Sequence, residues 1–399
     1  MKILLIHNRY RHPGGEDQVF RREAELLSSA GHKLLEYTRD NAEIEDGGIL
    51  NKAHLAARTL WAWDSQRELR AILKAEKPDV AHFHNTFPLI SPAAYHACWE
   101  FRVPVVQTLH NTRLLCPGGS SYRDGRICEE CLGRIVPWPG VVHACYRGSL
   151  AQSAVVAGML SLHRLAGTWR TKVGAYIVST KFFRKKFIEA GLLPGRIFLK
   201  PHFVYADPEL KPQRRSDYAL FAGRLAAEKG IGTLLDAWKL LRRSIPLRIA
   251  GDGPDRKVLE AAAKEAGLSN ILFEGWMSPE QLRGAMERAA FLIFPSQSSE
   301  TFGLPIIEAF ACGVPVIASR LGATMEIVES GKTGLHFHPG DAADLALKAE
   351  WLWTHKNEAE AMGRAARGEY EAKYTPERNY ELLMNIYAAA FNQRACEAA

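Results

Sequence analysis

Along the whole chain, short runs of apolar residues alternate with longer stretches in which apolar positions recur every three or four residues. The short runs predict buried strands at residues 2–8, 33–37, 79–83, 104–109 and 175–179, and again at 218–222, 247–250, 271–274, 291–294 and 314–318. The longer stretches predict helices, among them 16–29, which Gly31 stops, and 180–190, 231–243, 255–266, 279–288 and 304–312. A last helix, 376–391, opens with Thr375 as its cap and Pro376 in the first turn. Strands alternating with helices imply parallel sheets covered on both faces. The pattern runs through twice, which predicts an α/β fold of two doubly wound domains. The seam is the polar stretch 205–217, rich in Pro, Lys and Arg. It divides a first domain, 1–205, from a second, 206–375, and leaves 376–399 as a terminal segment expected to pack back on the first. Ligands of such sheets sit beyond the carboxyl ends of the strands, so functional residues are sought there.

Composition narrows the class without changing that picture. With 399 residues, 47% apolar and 24% charged, the chain is neither disordered, collagen-like nor a disulfide-stapled miniprotein. No run of 18 apolar residues predicts a transmembrane helix. The first strand turns polar after Ile3-Leu4-Leu5-Ile6, too soon for a signal peptide, so a cytoplasmic protein is expected. Charge changes the picture more. Residues 101–200 carry 15 basic against 4 acidic side chains, whereas residues 201–399 carry 23 against 26. A local excess of +11 suggests an anionic partner: phosphate, nucleic acid or an anionic membrane surface. A solvated basic face with no partner is the alternative.

The sharpest chemistry follows strand 291–294. Glu300 falls in the loop, Gly303 lets the backbone turn, Pro305 starts a helix, and Glu308 lies about one turn into it. Amides at a helix start bind anions, and carboxylates accept the O–H donors of sugars and ribose. The pair could equally cap and solvate a helix if it stood alone. It does not. Strand 218–222 runs into Gly223-Arg224-Leu225-Ala226-Ala227-Glu228-Lys229-Gly230, where Arg224 and Lys229 could neutralise a diphosphate. A further loop, Gly251-Asp252-Gly253-Pro254, either admits a flat base or is a simple tight turn.

Gly-Arg-Leu-x-x-Glu-Lys-Gly, then Ala-Gly-x-Gly-Pro, then Glu-x7-Glu resembles, in order, spacing and strand context, the retaining GT-B glycosyltransferases of family 4. The resemblance spans most of residues 1–390. It implies two Rossmann-like domains facing across a cleft, with a nucleotide-sugar donor (UDP or GDP) mainly on the second and an acceptor entering from the first. It implies that Arg224 and Lys229 hold the diphosphate and that Glu300 touches the transferred sugar. The amides of Phe302, Gly303 and Leu304 then lie near sugar and phosphate, Glu308 accepts the ribose hydroxyls, and Gly253 and Met277 lie by the base. In the first domain it places Gly14 and Gly15 near the donor phosphates, and His110, after strand 104–109, beside the sugar. His82 and His84 follow another strand and are read as structural or acceptor-side. No Asp-x-Asp triplet occurs, which agrees with cations replacing a divalent metal, so no cofactor is expected for catalysis.

Two features depart from the family. Pro201-His202-Phe203-Val204 stands where many relatives carry an asparagine after the proline, which puts that asparagine's role in doubt. Residues 112–147 form an insert holding Cys116, Cys128, Cys131 and Cys145, the middle pair at Cys-x2-Cys spacing. Such spacing suits a structural zinc; free thiols, a disulfide or an iron–sulfur centre stay open. Nearby, Lys181-Phe182-Phe183-Arg184-Lys185-Lys186-Phe187 and the apolar stretch 151–165 suit either an ordinary core helix or the anionic inner membrane surface, with a saccharide or lipid-linked acceptor. The reading is therefore retaining, metal-independent hexosyl transfer to a growing cell-surface polysaccharide or lipopolysaccharide. The rivals are a zinc-containing nucleic-acid-binding protein, an epimerase or phosphorylase working on the same nucleotide sugars, and a silent binding relative. A dense basic stripe with stacking aromatics is missing from the insert, so no nucleic-acid partner is expected.

Overall fold

The structure, a computed structural model, describes residues 1–11, 14–45, 47–206 and 218–398. Most of the expected seam, 207–217, lies outside the described residues, as do His12 and Pro13. The strands are β1 (Lys2–Arg9), β2 (Lys33–Asp40), β3 (Val80–Asn85), β4 (Val105–Thr108), β5 (Tyr122–Arg123), β6 (Arg126–Ile127), β7 (Ala175–Val178), β8 (Ile197–Leu199), β9 (Ala219–Ala222), β10 (Leu247–Ala250), β11 (Ile271–Gly275), β12 (Phe291–Phe294), β13 (Val316–Ser319) and β14 (Gly334–Phe337). The chain divides into two units. One comprises residues 1–123, 128–201 and 379–399; the other, 124–127 and 202–378.

The first unit is built on a parallel sheet in the order β2-β1-β3-β4-β7-β8. Its central strands are buried along almost their whole length, as a sheet covered on both faces requires. One face packs Ile3, Leu5, Val80, Val106 and Ile177 against Phe20 and Leu27 of helix Gly15–Ser29 and against Leu383, Ile386 and Tyr387 of the last helix, Pro376–Ala398. The other face covers Leu4, Ile6, Phe83 and Tyr176 with Leu69, Met159, Leu160 and Phe187.

The second unit repeats the design with the order β11-β10-β9-β12-β13-β14. Leu220 and Leu292 pack on one face with Ile306, Phe310 and Tyr370; Phe221 and Ile293 pack on the other with Leu234, Trp238 and Leu352. In both units the first strand of the repeat lies mid-sheet, so loops at the carboxyl ends of β1, β3 and β4, and of β9, β10 and β12, gather at one edge of their own sheet. No helix among the described residues is long and apolar enough to cross a membrane. The apolar stretch after residue 150 is helix Leu150–Leu165, whose Val156, Ala157, Met159 and Leu160 are core.

Candidate active site

In the second unit, glycines let three loops touch through their backbones. Gly223 N–H donates to Ala250 O at 3.0 Å, and Gly251 N–H to Gly275 O at 2.7 Å. Leu225 N–H donates to Asp252 O at 3.0 Å, and Asp255 N–H to Leu225 O at 3.1 Å. A Cβ on Gly251 would stand 1.9 Å from Gly223 O, and one on Gly253 2.2 Å from Leu225 O. No side chain fits there, so the loops form a polar backbone surface at the sheet edge. Arg224 is exposed beside it, Met277 is half-buried against the core, and Trp276 is exposed.

Gly230 does similar work one loop further on. Its φ is +72°, and a Cβ would meet Pro295 O at 2.0 Å. The turn before it, Ala227–Lys229, is thereby pressed onto the loop after β12, where Gln297 N–H donates to Glu228 O at 2.8 Å. That approach delivers Lys229 Nζ to Glu300 Oε1 at 2.6 Å. Ser296 Oγ donates to the same oxygen at 2.6 Å, and Ser319 Oγ holds Ser296 O at 2.6 Å. Lys229 retains 27% of its side-chain exposure and Glu300 15%, so both reach solvent. An ammonium has three donors, so Lys229 can hold Glu300 and a phosphate oxygen together. Helix Leu304–Ala311 follows at once. Gly303 caps it at φ +108°, Leu304 and Pro305 open it, and Glu308 is half-buried within it. Phe302 is buried, its ring edge-on to His202 at 5.0 Å and to Tyr374 at 5.9 Å. Its side chain belongs to the core, which leaves its amide as the group it can offer a ligand.

In the first unit, Gly14 precedes helix Gly15–Ser29, whose start is tied by Asp17. Its Oδ2 accepts Gly14 N–H at 2.8 Å while Oδ1 lies 3.0 Å from His7 Nε2. Glu16, next to Gly15, accepts from Asn111 Nδ2 at 2.6 Å and from the Tyr10 hydroxyl at 3.1 Å. Burial raises the carboxyl pKa of Glu16 in spite of those bonds. His110 lies just past β4 and is nearly buried, with Nε2 3.0 Å from His84 Nδ1 and the two rings stacked. Both line a small cavity with Thr86, Tyr95, Asn111 and Arg113. His82 and His84 do not follow a strand, as expected, but lie inside β3 and are buried. Alternation along the strand turns both toward one face, where Glu23 waits. Glu23 Oε1 is 3.0 Å from His82 Nδ1 and 3.3 Å from His84 Nε2; its Oε2 accepts from Lys200 Nζ at 2.6 Å. Lys200 also donates to Asn379 Oδ1 at 3.0 Å. Burial opposes the Glu23 charge, yet Lys200 and the histidines hold its pKa well below the ordinary carboxylate range. Glu23, His82 and His84 are the one group of three His, Cys, Asp or Glu ligand atoms within 4.8 Å of one another among the described residues. The Lys200 ammonium already balances their carboxylate, so no ion is required there.

Cys116, Cys128, Cys131 and Cys145 are unbridged thiols. They are near enough that each neighbour's charge raises the pKa of Cys131, which burial in the first place pushes to about 11. The Cys131 thiol donates to Pro137 O at 3.8 Å. A zinc ion would need all four sulfurs at roughly 2.3 Å from it, whereas among the described residues no three of them lie within 4.8 Å of one another. In helix Lys181–Glu189, Phe183 and Phe187 face the core and Lys186 pairs with Glu129 at 2.8 Å. The aromatic half of that run is therefore interior.

Residues 207–369 match the family described as glycosyl transferases group 1, and residues 13–204 match glycosyltransferase family 4. Glycogen synthase of Mycobacterium tuberculosis is 31% identical over 319 residues, covering 79% of this chain and 69% of the relative. The chain belongs to glycosyltransferase family 4. Another relative of this family 4 chain is the D-rhamnosyltransferase WbpZ of Pseudomonas aeruginosa, 36% identical over 160 residues. That match covers 40% of the chain and 42% of WbpZ, so the chain is matched to less than half of that relative's length. Among solved structures, sucrose-phosphate synthase from Thermosynechococcus elongatus superposes with a TM-score of 0.71 at 20% identity, covering 98% of this chain and 99% of that one. Anabaena HepE in complex with UDP superposes at 0.67 and 18% identity, covering 97% and 100%. These likenesses show the GT-B fold.

Sequence reasoning missed Glu16, Asn111, Glu23 and Lys200. Glu16 and Asn111 adjoin residues it singled out, and His-x-His on an otherwise apolar strand was a usable signal for a buried polar face. Nothing in the sequence pointed to Glu23 or Lys200, which lie 177 residues apart.

Proposed function

We propose that this family 4 chain transfers a hexosyl group, with retention and without a catalytic metal, from a UDP- or GDP-linked sugar to a saccharide or lipid-linked acceptor in cell-surface polysaccharide or lipopolysaccharide synthesis. The observation that carries the reading is the Lys229–Glu300 pair, 2.6 Å apart, set between a backbone-lined loop surface and the start of helix Leu304–Ala311. It offers a cation for a departing diphosphate and a carboxylate for sugar hydroxyls in one place. Arg224 adds a second cation, the amides of Phe302, Gly303 and Leu304 add donors, and Glu308 is assigned to the ribose. The complex of HepE with UDP supports a nucleotide donor. His110, Gly14 and Gly15 are assigned to the sugar and phosphates, Gly253 and Met277 to the base.

Thermal unfolding against UDP, GDP, ADP and CMP, with EDTA present, tests this reading first. One nucleotide at about 100 times its Kd should add about 2.7 kcal/mol, and the configuration of the transferred sugar, read by NMR, then tests retention. No response to any of them at millimolar concentration would count against the donor site.

For the acceptor, we propose an encounter at an anionic cytoplasmic membrane face. Ile135, Val136, Trp138 and Val142 of the insert are exposed beside Arg134 and Arg147, which suits such a surface better than the helix carrying Phe183 does. Failure to bind anionic liposomes at low salt would remove it. A structural zinc on Cys116, Cys128, Cys131 and Cys145, whose binding would draw the four sulfurs closer together than they stand, is proposed with it; about one zinc per chain by elemental analysis, lost in Cys128→Ser, is the expected result.

A further inference from the structure

The buried polar network of the first unit reaches His110 through His84. Glu23 is fixed as an anion by Lys200, which is itself held by Asn379. Its second oxygen faces two imidazoles. His82 has other partners, the Tyr387 hydroxyl at Nδ1 and the Thr108 hydroxyl at Nε2, each at 2.8 Å. His84 has Glu23 on its Nε2 side and His110 on its Nδ1 side.

That placement dictates protons. At 3.3 Å the His84–Glu23 contact is long and not well directed, so it acts through charge rather than as a strong hydrogen bond. The sign is still unambiguous: a ring lone pair aimed at a carboxylate oxygen is repelled, and an N–H is attracted. Burial also holds His84 neutral, with a pKa lowered to about 3, so the ring carries one proton only. With that proton on Nε2, Nδ1 is an acceptor. The 3.0 Å contact to His110 Nε2 then requires His110 to be the donor.

We propose that His84, oriented by Glu23, is a positioning residue that fixes His110 in the tautomer bearing its proton on Nε2, so that Nδ1 presents a lone pair. In that form His110 accepts a hydroxyl hydrogen from its ligand instead of donating to it. The class of group it meets is an alcohol, as on a sugar, and this step rests on the assignment of His110 to the donor sugar. The tautomer itself does not depend on that assignment.

The test separates the two. Nitrogen-15 NMR of histidine-labelled full-length protein, with His110 assigned through His110→Asn, reads the tautomer without substrate. The expected result between pH 6 and 8 is a protonated Nε2 and an unprotonated Nδ1. A proton on Nδ1, or an imidazolium in that range, overturns the proposal. His84→Asn, whose side-chain oxygen can still accept, should keep the tautomer; His84→Phe should release it. In turnover, His84→Phe should lower kcat at least tenfold, with KM for the nucleotide sugar changed less than threefold and the fold retained by circular dichroism, and His84→Asn should recover most of the loss. An equal loss in both variants, with the tautomer unchanged, would mean a structural role only. If the wild type transfers no sugar but shows the expected tautomer, the functional reading fails and the relay stands.

Discussion

The two units place their chemistry in opposite ways. In the second unit the candidate residues are assembled by backbone: Gly223, Gly251, Gly253 and Gly230 let loops approach until Lys229 meets Glu300 at the surface. In the first, side chains from β3, Lys200 and the last helix converge in the interior around Glu23 of helix Gly15–Ser29. A partly exposed pair is cheap to hold and open to ligand, whereas a buried ion pair must be fully partnered or it destabilises the fold. Side-chain variants of the Lys229–Glu300 pair should therefore lose activity and keep the fold; variants of the Glu23–Lys200 pair should lose stability.

Lys229→Ala and Glu300→Ala give the largest expected effect. Each should lower kcat by about 10³-fold while the unfolding midpoint in urea stays near that of the wild type; near-normal turnover in either would undo the comparison. Glu23→Leu leaves the Lys200 ammonium buried without its carboxylate and should cost about 3–5 kcal/mol by urea unfolding. A loss under about 1 kcal/mol would mean that the network is wetter than its burial implies. Gly253→Ala pushes a methyl into Leu225 backbone and should cost about 2 kcal/mol with loss of nucleotide binding. Ser296→Ala, which removes one of the two bonds to Glu300 Oε1, should lower kcat only about fivefold, the equivalent of about 1 kcal/mol.

Acid sharpens the same contrast. Burial holds His84 down to about pKa 3 and His163 to about 4, both in the first unit. In the unfolded chain they take up protons near pH 6.5. The folded form binds fewer protons between those values, so their contribution is complete above pH 6.5 and is lost as pH falls toward 4. Each group can remove up to about 1.4 kcal/mol per pH unit in that window. The depressed Glu23 adds a loss that begins lower, below about pH 4.3, where the unfolded carboxyl takes its proton. Hydrogen exchange followed from pH 7 to 4.5 should show protection falling first in β3 and β4; earlier loss in β9 or β12 would contradict this.

The same contrast governs what could be read from sequence. Both parallel sheets were legible because β1, β9 and β12 hold short, unbroken apolar runs ended by polar, glycine or proline residues. The loop site was legible because its glycines and charges lie within a few residues of those strand ends. Two edge strands were not. β8 has only three residues after a tight turn, and β14 carries His336 within four. The Glu23 network escaped for another reason. It joins residues 23, 82, 84, 200 and 379, and no local spacing encodes a meeting between positions so far apart.

The route of the chain through the first unit has a consequence for its biosynthesis. Asn379 and, from the last helix, Leu383, Ile386, Tyr387 and Ala390 complete a core whose other members precede residue 201. On the ribosome, the earlier-made sheet must therefore wait, with Glu23 and Lys200 paired but one apolar face uncovered, while some 180 further residues are translated. The second unit has all its partners within one continuous stretch from 202 to 378, apart from residues 124–127, and can close first. The half of the protein made first is thus finished last, and its exposed sheet is where a chaperone would bind the nascent chain.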